Sequence, residues 1–394
     1  MEAPQLGLYV HLPWCERKCP YCDFNSHEAS VIPEAAYIDT LILDLQAEIN
    51  DQRREIDTMF IGGGTPSLFS VDAIGRLMEA VKSAGLAKGA EVTMEANPGS
   101  VEAGRLKGYA EAGVTRFSLG IQSFSNGALQ ALGRIHDGEM ARRAAAAAQG
   151  SGAASYNIDL MHGLPAQTLG EGLNDIRTAL ALSPPHLSWY QLTIEPNTRF
   201  YSQPPRLPED SILGSLEEEG CRVLQSAGYH RYEVSAWARP GEECQHNLNY
   251  WRFGDYLAIG AGAHGKLSTA QGEVFRYAKT RQPDDYLAAG GRERRNLRTL
   301  DSADRQGEFM LNALRLAKGF SLTLFEARTG LDADRVRPTI DELADLGLLT
   351  RDGEQVRTTD LGRRFLDDVV AAFFPDSPDF PDAPEGEQST TEKD

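Results

Sequence analysis

Short apolar strands alternate with amphipathic helices along the first half of this 394-residue chain, and this alternation constrains the fold more than any other feature. One strand and one helix about every 30 residues is the signature of parallel βα units. Six consecutive units, without a repeat in the sequence itself, favour a complete or partial barrel over a solenoid. The predicted strands span 5–12, 57–62, 90–96, 115–122, 155–161 and 186–194, and the predicted helices span 34–52, 70–84, 101–112, 125–149 and 170–182.

Each predicted strand has an apolar face and a polar face, because side chains alternate along a strand. Val92 and Met94 share a face that suits a helix layer, whereas Glu95 lies on the opposite face. Gln122 and Asp159 occupy equivalent polar positions on later strands. Polar strand ends that face water are the alternative for any single strand. The same polarity on four strands favours a polar lumen that holds a ligand, since a purely structural barrel fills its interior with branched apolar residues.

The pattern changes after about residue 200. A Pro-rich connection and an apparent helix over 209–227 lead into a loop-rich region with the sequences HNLNYW (246–251) and GAGAHG (260–265). Between 301 and 374, apparent helices over 302–317, 321–329, 332–347 and 360–373 surround a hairpin signal at Asp352-Gly353, which predicts a helical module with a small wing.

These patterns divide the chain into four parts. The last part is an acidic tail whose four prolines and seven acids cannot bury enough apolar surface to order themselves. We predict a barrel at 1–200, a connecting region at 201–300, a helical, winged-helix-like module at 301–374 and a disordered tail at 375–394.

Charge and cysteine content exclude several classes of protein. Lys and Arg number 39 against 57 Asp and Glu, a net charge of −18 that repels nucleic-acid phosphates and anionic lipid surfaces. The winged module, with ten basic and fourteen acidic residues, is expected to dock proteins or act as a lid rather than bind DNA. No stretch approaches the ~18 apolar residues of a membrane span, and the N-terminus lacks signal-peptide character. Five cysteines indicate a reducing, cytoplasmic setting rather than a disulfide framework.

Three of the cysteines, Cys15, Cys19 and Cys22, follow the first predicted strand with the spacing C-x3-C-x2-C. Three thiolates so placed can each hold one iron of a [4Fe–4S] cluster and leave the fourth iron open to a ligand. The alternatives are free thiols or a zinc site completed by His11 or His27, although this spacing suits zinc less well than C-x2-C pairs do. The location at the C-terminal end of a barrel strand favours the cluster further.

This loop resembles the cluster loop of the radical S-adenosylmethionine (SAM) superfamily, whose cluster reductively cleaves SAM. The sequence GGGTP (62–66) resembles the glycine-rich SAM loop of that superfamily, where glycines permit close backbone approach to the methionine moiety. The resemblance implies an α/β fold, a partial (βα)6 TIM-type barrel followed by the C-terminal module.

Within the superfamily the chain resembles the oxygen-independent coproporphyrinogen III oxidase-like family, from residue 5 to about 374. That resemblance implies a SAM site in which carboxylates and an amide hold the ribose, amino and adenine groups and an arginine pairs with the SAM carboxylate. The matching positions are Tyr9, Tyr21, Gly63, Gly64, Thr65, Glu95, Gln122, Arg134 and Asp159.

Two departures separate the chain from the porphyrinogen-oxidising enzyme of that family. The enzyme has a further Cys two places after the third cluster Cys, and an N-terminal extension over its substrate site. Here Asp23-Phe24 follows Cys22, and 14 residues precede Cys15. Conversely, HNLNYW matches the HNxxYW signature of the haem-chaperone branch, and residues 19–26 resemble its CxYCxFNS form.

The resemblance therefore implies a chaperone that binds a [4Fe–4S] cluster, SAM and haem, and delivers haem to acceptor proteins such as membrane-associated respiratory enzymes. A coproporphyrinogen III dehydrogenase is the alternative, and a radical enzyme acting on another substrate is a third. Whether SAM is cleaved stays open.

The HNLNYW segment supplies the candidate haem contact. An imidazole can take an axial position on haem iron, and Tyr and Trp can stack on the macrocycle. The resemblance makes His246 that candidate, with a hydrogen-bonding structural role as the alternative. Cys244 is a competing ligand, whereas Cys221 is expected to pack in a helix and His264 to be structural.

Overall fold

The structure is a computed structural model that describes residues 4–50, 54–100, 103–269 and 271–374. The described residues form two compact units, one ending at Thr299 and the other beginning at Leu300. Within the described ranges, no helix is long and apolar enough to cross a membrane. The tail at 375–394 lies outside the described residues, so its disorder stays a prediction.

A single 12-stranded sheet organises the larger unit, and six parallel strands form its centre. These six lie side by side in the order in which they occur along the chain. The sequence prediction of a partial (βα)6 barrel is therefore confirmed. The strands are β1 (Leu6–Leu12), β2 (Ile56–Gly63), β3 (Leu86–Ala96), β4 (Arg116–Gln122), β5 (Ser155–His162) and β6 (His186–Gln191).

Helices pack on the apolar face of these strands, where residues such as Leu8, Val10 and Met94 are completely buried. The connecting helices are α1 (Glu34–Asn50), α2 (Val71–Gly85), α3 (Ala103–Ala112), α4 (Asn126–Ala131), α5 (Gly138–Gln149) and α6 (Leu169–Ala181).

The single helix predicted over 125–149 is wrong, because the chain breaks between α4 and α5. Gly133 adopts a left-handed φ of +69°, which ends the first helix. Asp137 then caps the second by accepting a hydrogen bond from Met140 N at 2.8 Å. The break places Arg134 in a loop rather than on a helix surface.

The region beyond residue 200 is more regular than predicted. The helix expected over 209–227 is confirmed, but the loop-rich expectation is wrong, since HNLNYW forms a helix and six strands extend the sheet. A seventh parallel strand, β9 (Asp255–Ile259), pairs with β1 on the side away from β2, and antiparallel strands form both edges of the sheet. The elements are α7 (Arg199–Ser202), α8 (Asp210–Ser226), β7 (His230–Glu233), β8 (Ala236–Ala238), α9 (Gln245–Trp251), β9 (Asp255–Ile259), β10 (His264–Ser268), β11 (Val274–Lys279), α10 (Pro283–Ala288) and β12 (Arg294–Thr299).

The smaller unit has the predicted helices and wing, with two predicted helices interrupted. A new helix, with Pro338 as its second residue, follows a short 3-10 turn, and a second break falls at Phe365. Phe309 packs edge-on against Phe320 and Phe325 in its core. The elements are α11 (Ser302–Ala313), β13 (Phe320–Ser321), α12 (Leu322–Thr329), α13 (Arg337–Asp345), β14 (Leu349–Asp352), β15 (Gln355–Thr358), α14 (Asp360–Arg364) and α15 (Leu366–Ala371).

A buried ion network joins α1 to the antiparallel extension of the sheet. Lys279 Nζ lies 2.5 Å from Asp44 Oδ1 and 2.7 Å from Glu48 Oε1, and all three side chains are almost fully buried. Arg294 donates two further hydrogen bonds to Glu48. The network fixes β11 and β12 against the barrel, because a charge left alone in this interior would be strongly unfavourable.

Replacement of Lys279 by Met is expected to lower the free energy of unfolding by about 3–5 kcal/mol, since Asp44 loses its buried cation and Glu48 loses one of two. Arg76→Met removes the partner of Asp39 on the exposed surface of α1 and is the matched control, with a loss below about 1 kcal/mol. Urea denaturation measures both values. Equal losses for the two variants would contradict the assignment of the network as a buried anchor.

Candidate functional site

The cysteine loop and the glycine turn after β2 are held together by their backbones. Gly64 N donates to Leu12 O at 2.8 Å, and Thr65 N donates to Trp14 O at 2.7 Å. A Cβ atom on residue 64 would lie 2.4 Å from Trp14 O, so only glycine permits this approach. The same loop is closed by parallel pairing of Trp14–Cys15 with His27–Glu28. Cys15 is thereby fixed beside Thr65.

One cavity of about 170 Å³ at the C-terminal ends of the parallel strands brings the predicted site residues together. Cys15, Cys19 and Cys22 line it. Eight of the nine predicted SAM positions line it as well, and the ninth, Tyr9, lines an adjoining cavity that shares Gly63 and Glu95. The eight are Tyr21, Gly63, Gly64, Thr65, Glu95, Gln122, Arg134 and Asp159.

Sequence reasoning missed two functional candidates in this cavity, Ser118 and Tyr190. Ser118 Oγ donates to Asp159 at 3.0 Å, and Tyr190 OH donates to Gln122 Oε1 at 2.8 Å. Strand alternation carried a signal for Ser118, which shares the polar face of β4 with Gln122.

Two carboxylates face the cavity from β3 and β5. Withdrawal from bulk solvent, together with the nearby charge of Asp159, raises the pKa of Glu95 to about 8, although Glu95 Oε2 accepts a hydrogen bond from Gly63 N at 3.1 Å. Burial also raises the pKa of Asp159, opposed by hydrogen bonds from Ser188, Asn157 and Ser118. A pair of destabilised carboxylates suits a cationic ligand, whose charge would favour their ionised forms.

The guanidinium of Arg134 reaches the same cavity from the break between α4 and α5. Its Nη2 donates to Gly120 O at 2.6 Å, and its Nη1 lies 3.7 Å from Cys19 Sγ. Its Nε is buried without a hydrogen-bond partner among the described residues. Gln122 nearby holds a left-handed φ of +68°, a conformation uncommon for a residue with a side chain. A buried N–H without a partner fits an anionic group such as a carboxylate.

The zinc alternative finds no support in the two histidines proposed for it. His11 Nδ1 lies 2.9 Å from Tyr9 OH and its Nε2 lies 2.9 Å from Asn25 O, so both ring nitrogens are engaged. His27 Nε2 contacts Asn25 Oδ1 at 3.2 Å. Among the described residues, no three Cys, His, Asp or Glu side chains converge closely enough to hold one metal ion. A [4Fe–4S] cluster takes each thiolate on a different iron, so it does not require such convergence.

The thiols of Cys15 and Cys22 are protonated in the absence of a metal, because their pKa values are raised. Burial raises the pKa of Cys15, opposed by a hydrogen bond with Thr65, and burial also raises the pKa of Cys22. Iron binding to these thiols must therefore release protons.

The surroundings of His246 do not support its assignment as a haem contact. It is 1% exposed, and its Nδ1 and Nε2 lie 2.9 Å from Thr58 Oγ1 and 3.0 Å from Tyr250 OH. Burial lowers the pKa of His246 to about 3, so the ring is neutral. Both ring nitrogens are therefore engaged inside the barrel, which favours the hydrogen-bonding structural role over a haem contact.

The two remaining cysteines, Cys244 and Cys221, lie outside the cavity and contact glutamate side chains. Cys244 is fully buried, and its thiol donates to Glu91 Oε1 at 3.2 Å. Burial raises the pKa of Cys244 to about 12, which keeps the thiol protonated. The carboxylate of Glu91 also accepts hydrogen bonds from the first two backbone N–H groups of α9, Gln245 and His246. Cys221 lies partly buried on α8, 3.6 Å from Glu217 Oε1.

The fold and the cavity define a radical SAM protein, and comparison with known proteins agrees. Residues 9–177 match the Radical SAM superfamily, and residues 300–365 match the HemN C-terminal domain. The chain is 49% identical to Heme chaperone HemW of Escherichia coli K12, over 95% of this chain and 99% of that protein. It is 32% identical to Heme chaperone HemW of Bacillus subtilis, over 93% and 99% of the two chains. The chain belongs to the HemW family.

Two further comparisons extend this relationship. The chain is 35% identical to the mitochondrial Radical S-adenosyl methionine domain-containing protein 1 of Bos taurus, over 94% of this chain and 88% of that protein. The solved structure of coproporphyrinogen III oxidase (HemN) from Escherichia coli superposes with a TM-score of 0.80 at 22% identity, over 95% of this chain and 91% of that chain. At that identity the likeness concerns the fold alone.

The burial of His246 makes the free energy of unfolding depend on pH. Because its pKa falls from 6.5 to about 3 on folding, the unfolded chain binds a proton there between these pH values and the folded chain does not. Above pH 6.5 His246 is neutral in both states and does not make the free energy of unfolding depend on pH. Below pH 6.5 the free energy of unfolding falls with pH, by up to about 1.4 kcal/mol per pH unit.

His246→Asn is therefore expected to flatten the acid side of the stability curve by this amount, while lowering stability at pH 7.5 by about 1–3 kcal/mol through unpaired Thr58 and Tyr250 hydroxyls. Urea unfolding between pH 4.5 and 7.5 measures both effects. An unchanged slope would show that the His246 ring is not held neutral.

Proposed function

We propose that this protein holds a [4Fe–4S] cluster on Cys15, Cys19 and Cys22, binds SAM beside it, and carries haem to acceptor proteins. The observation that carries the proposal is the single cavity that gathers these three thiols with eight of the nine positions expected to contact SAM. The names of the HemW relatives supply the haem part of the proposal.

The charged side chains that line the cavity are complementary to the charged groups of SAM. Glu95 and Asp159 would hold its cationic and hydroxyl groups, and Arg134 Nε would pair with its carboxylate. Gly63 and Gly64 line the cavity without side chains, so the methionine end could approach the backbone of this turn closely. When bound, the cluster would supply an iron without a protein ligand and a source of one electron.

We infer a carrier rather than a porphyrinogen-oxidising enzyme. The oxidising enzyme of the wider family carries a Cys where this chain has Phe24, whose ring is 60% exposed at the edge of the cavity. No disulfide joins any two of the cysteines that the structure describes, which suits a reducing compartment such as the cytoplasm. Acceptors such as membrane-associated respiratory enzymes fit this role, and the acidic winged module is the proposed protein-docking part.

An anaerobic assay separates the carrier from the enzyme. Reconstituted protein is supplied with reductant, SAM and coproporphyrinogen III, and a parallel sample is titrated with haem. We expect stoichiometric haem binding and no protoporphyrinogen IX. Sustained formation of protoporphyrinogen IX would establish the dehydrogenase alternative instead.

The cluster ligands are tested by iron content. Reconstituted wild-type protein is expected to hold about four irons per chain, and Cys19→Ser less than one, because three thiolates are needed to retain the cluster. Cys221→Ser, which replaces a thiol on α8 outside the cavity, is the matched control and should retain full iron content. Full iron content in Cys19→Ser would refute the assignment.

We expect Glu95 to release a proton when SAM binds. Its pKa of about 8 leaves the carboxyl protonated at pH 6.5, and a cationic ligand favours the ionised form. SAM affinity should therefore rise with pH between 6 and 8, by up to about tenfold per pH unit.

Calorimetric titration of SAM in two buffers of different ionisation enthalpy measures the protons released. Glu95→Gln should abolish the release, whereas Asp175→Asn, which alters a buried carboxylate outside this cavity, should keep it. Proton release that persists in Glu95→Gln would assign the effect to another group.

A further inference from the structure

Asp159 is held in the lumen by hydrogen bonds that converge on it from β4, β5 and β6. Its Oδ1 accepts from Asn157 Nδ2 at 2.6 Å, and its Oδ2 accepts from Ser118 Oγ at 3.0 Å. Asn157 Nδ2 also donates to Ser118 Oγ at 2.8 Å, so one amide group serves both the carboxylate and the hydroxyl that binds it. The side chain of Ser188 is a third hydrogen-bond partner of Asp159.

The neighbours of the Asn157 side chain fix the orientation of its amide group. Its Oδ1 accepts from the backbone N–H of Ser188 at 2.9 Å, and a backbone N–H can only donate. Its Nδ2 faces the carboxylate of Asp159, which accepts when it is ionised. Exchange of the two amide atoms would set two donors against each other at one end and two acceptors at the other. Because Asn157 is 1% exposed, bulk water does not compensate for such an exchange.

The orientation of this amide in turn fixes the tautomer of His186. The Nδ1 atom of His186 lies 2.7 Å from Asn157 Oδ1, which is an acceptor, so Nδ1 carries the proton. Burial lowers the pKa of His186 well below its usual value, so the ring is neutral. Its Nε2 therefore accepts from Tyr232 OH at 2.9 Å. The hydrogen bonds run in one direction, from Tyr232 through His186 and Asn157 to Asp159.

The second carboxylate of the lumen, Glu95, has fewer donors. Among the described residues it accepts one hydrogen bond, from Gly63 N at 3.1 Å. Hydrogen bonds to a carboxylate favour its ionised form, and two nearby carboxylates oppose each other's ionisation. A single proton shared by the pair is therefore expected to lie on Glu95, which leaves Asp159 as the anion.

The other titratable and charged groups around Asp159 agree with this distribution of the proton. The buried guanidinium of Arg116, on β4, favours the ionised form of Asp159. Tyr190, on β6, stays protonated, because burial and the charge of Asp159 raise its pKa well above its usual value. The His186 ring is neutral. Glu95 is the neighbour whose charge opposes that of Asp159.

We propose that Asn157 is a positioning residue that keeps Asp159 anionic and oriented toward a cationic ligand, and that the neutral ring of His186 holds the Asn157 amide in place. The inference rests on the proposed function for the identity of that ligand, SAM. Asn157 acts through Asp159, since its side chain lies behind the residues that line the cavity. Glu95 is then the carboxyl group that loses a proton when the ligand enters.

The tautomer of His186 can be tested without any ligand. Long-range proton–nitrogen NMR spectra of the full-length protein, labelled with nitrogen-15 in its histidine rings, distinguish protonated from unprotonated ring nitrogens. We expect a protonated Nδ1 and an unprotonated Nε2 for His186 between pH 6 and 8, with its signals assigned by their loss in His186→Asn. A protonated Nε2 would mean that the Asn157 amide has the opposite orientation and would overturn the proposal.

The charge of Asp159 is tested with Asn157→Leu, which removes the amide N–H groups. SAM affinity should fall about tenfold at pH 6.5 and recover at pH 8.5, because a second carboxyl group must then lose its proton at the lower pH. Calorimetric titration in two buffers at pH 6.5 should give about one proton released by wild type and close to two by the variant. Equal weakening at both pH values would indicate a general distortion of the site and would overturn the proposal.

Tyr156→Phe is the matched control for Asn157→Leu. It removes a hydrogen bond to Leu182 O from the neighbouring position of β5, on the face that points away from the lumen. This variant should bind SAM like wild type at both pH values and release about one proton.

Two substitutions of His186 test the part of the ring. His186→Asn keeps an N–H group at the place of Nδ1, so the Asn157 amide should keep its orientation and the variant should release about one proton at pH 6.5. His186→Leu removes that donor and should release more than one. The same count in both variants would overturn the role of the His186 ring.

The outcomes separate this inference from the proposed function. Wild-type protein that does not bind SAM would refute the proposed SAM site and this inference with it. Wild-type protein that binds SAM and releases about one proton, with the same count and affinity in folded Asn157→Leu, would overturn the inference and leave SAM binding intact. Release of two protons by wild type would show that Asp159 is protonated before the ligand enters and would also overturn it.

Discussion

The close backbone contact between the cysteine loop and the glycine turn is the constraint on which the rest of the site depends. Two hydrogen bonds carry the pairing of β1 and β2 beyond the ends of the strands, and they exist because residue 64 has no side chain. The contact fixes Cys15 over the lumen, next to the carboxylates of β3 and β5. Without it, the three thiols and the polar strand ends would belong to separate parts of the surface.

The lumen contains polar groups whose burial is unfavourable. Glu95 and Asp159 face each other away from bulk solvent, and Arg134 keeps a buried N–H without a partner among the described residues. Burial of such groups reduces stability, and a ligand with complementary charges would offset this cost. The buried network of Lys279, Asp44 and Glu48 provides rigidity outside the lumen, where every charge has a partner.

Sequence reasoning succeeded where local pattern decides structure and failed where distant contacts decide it. Alternation along β3, β4 and β5 isolated Glu95, Gln122 and Asp159, because one face of each strand packs on helices. The helix α9 was missed because it is one short element whose first N–H groups are satisfied by Glu91, from a strand more than 150 residues away in sequence. Strand β10 was not predicted, because Lys266 interrupts its apolar pattern. This lysine is buried and forms an ion pair with Asp255. Long-range contacts also place the His246 ring inside the barrel, between Thr58 and Tyr250, which the HNLNYW motif alone does not indicate.

We propose that the thiols and the polar lumen act together, as one site for a cluster and SAM. The decisive test is electron paramagnetic resonance of the anaerobically reconstituted, chemically reduced protein, with spectra recorded before and after SAM is added. We expect the signal of a reduced [4Fe–4S] cluster whose g values change when SAM reaches the iron that has no protein ligand. A cluster signal that saturating SAM leaves unchanged would contradict a shared site.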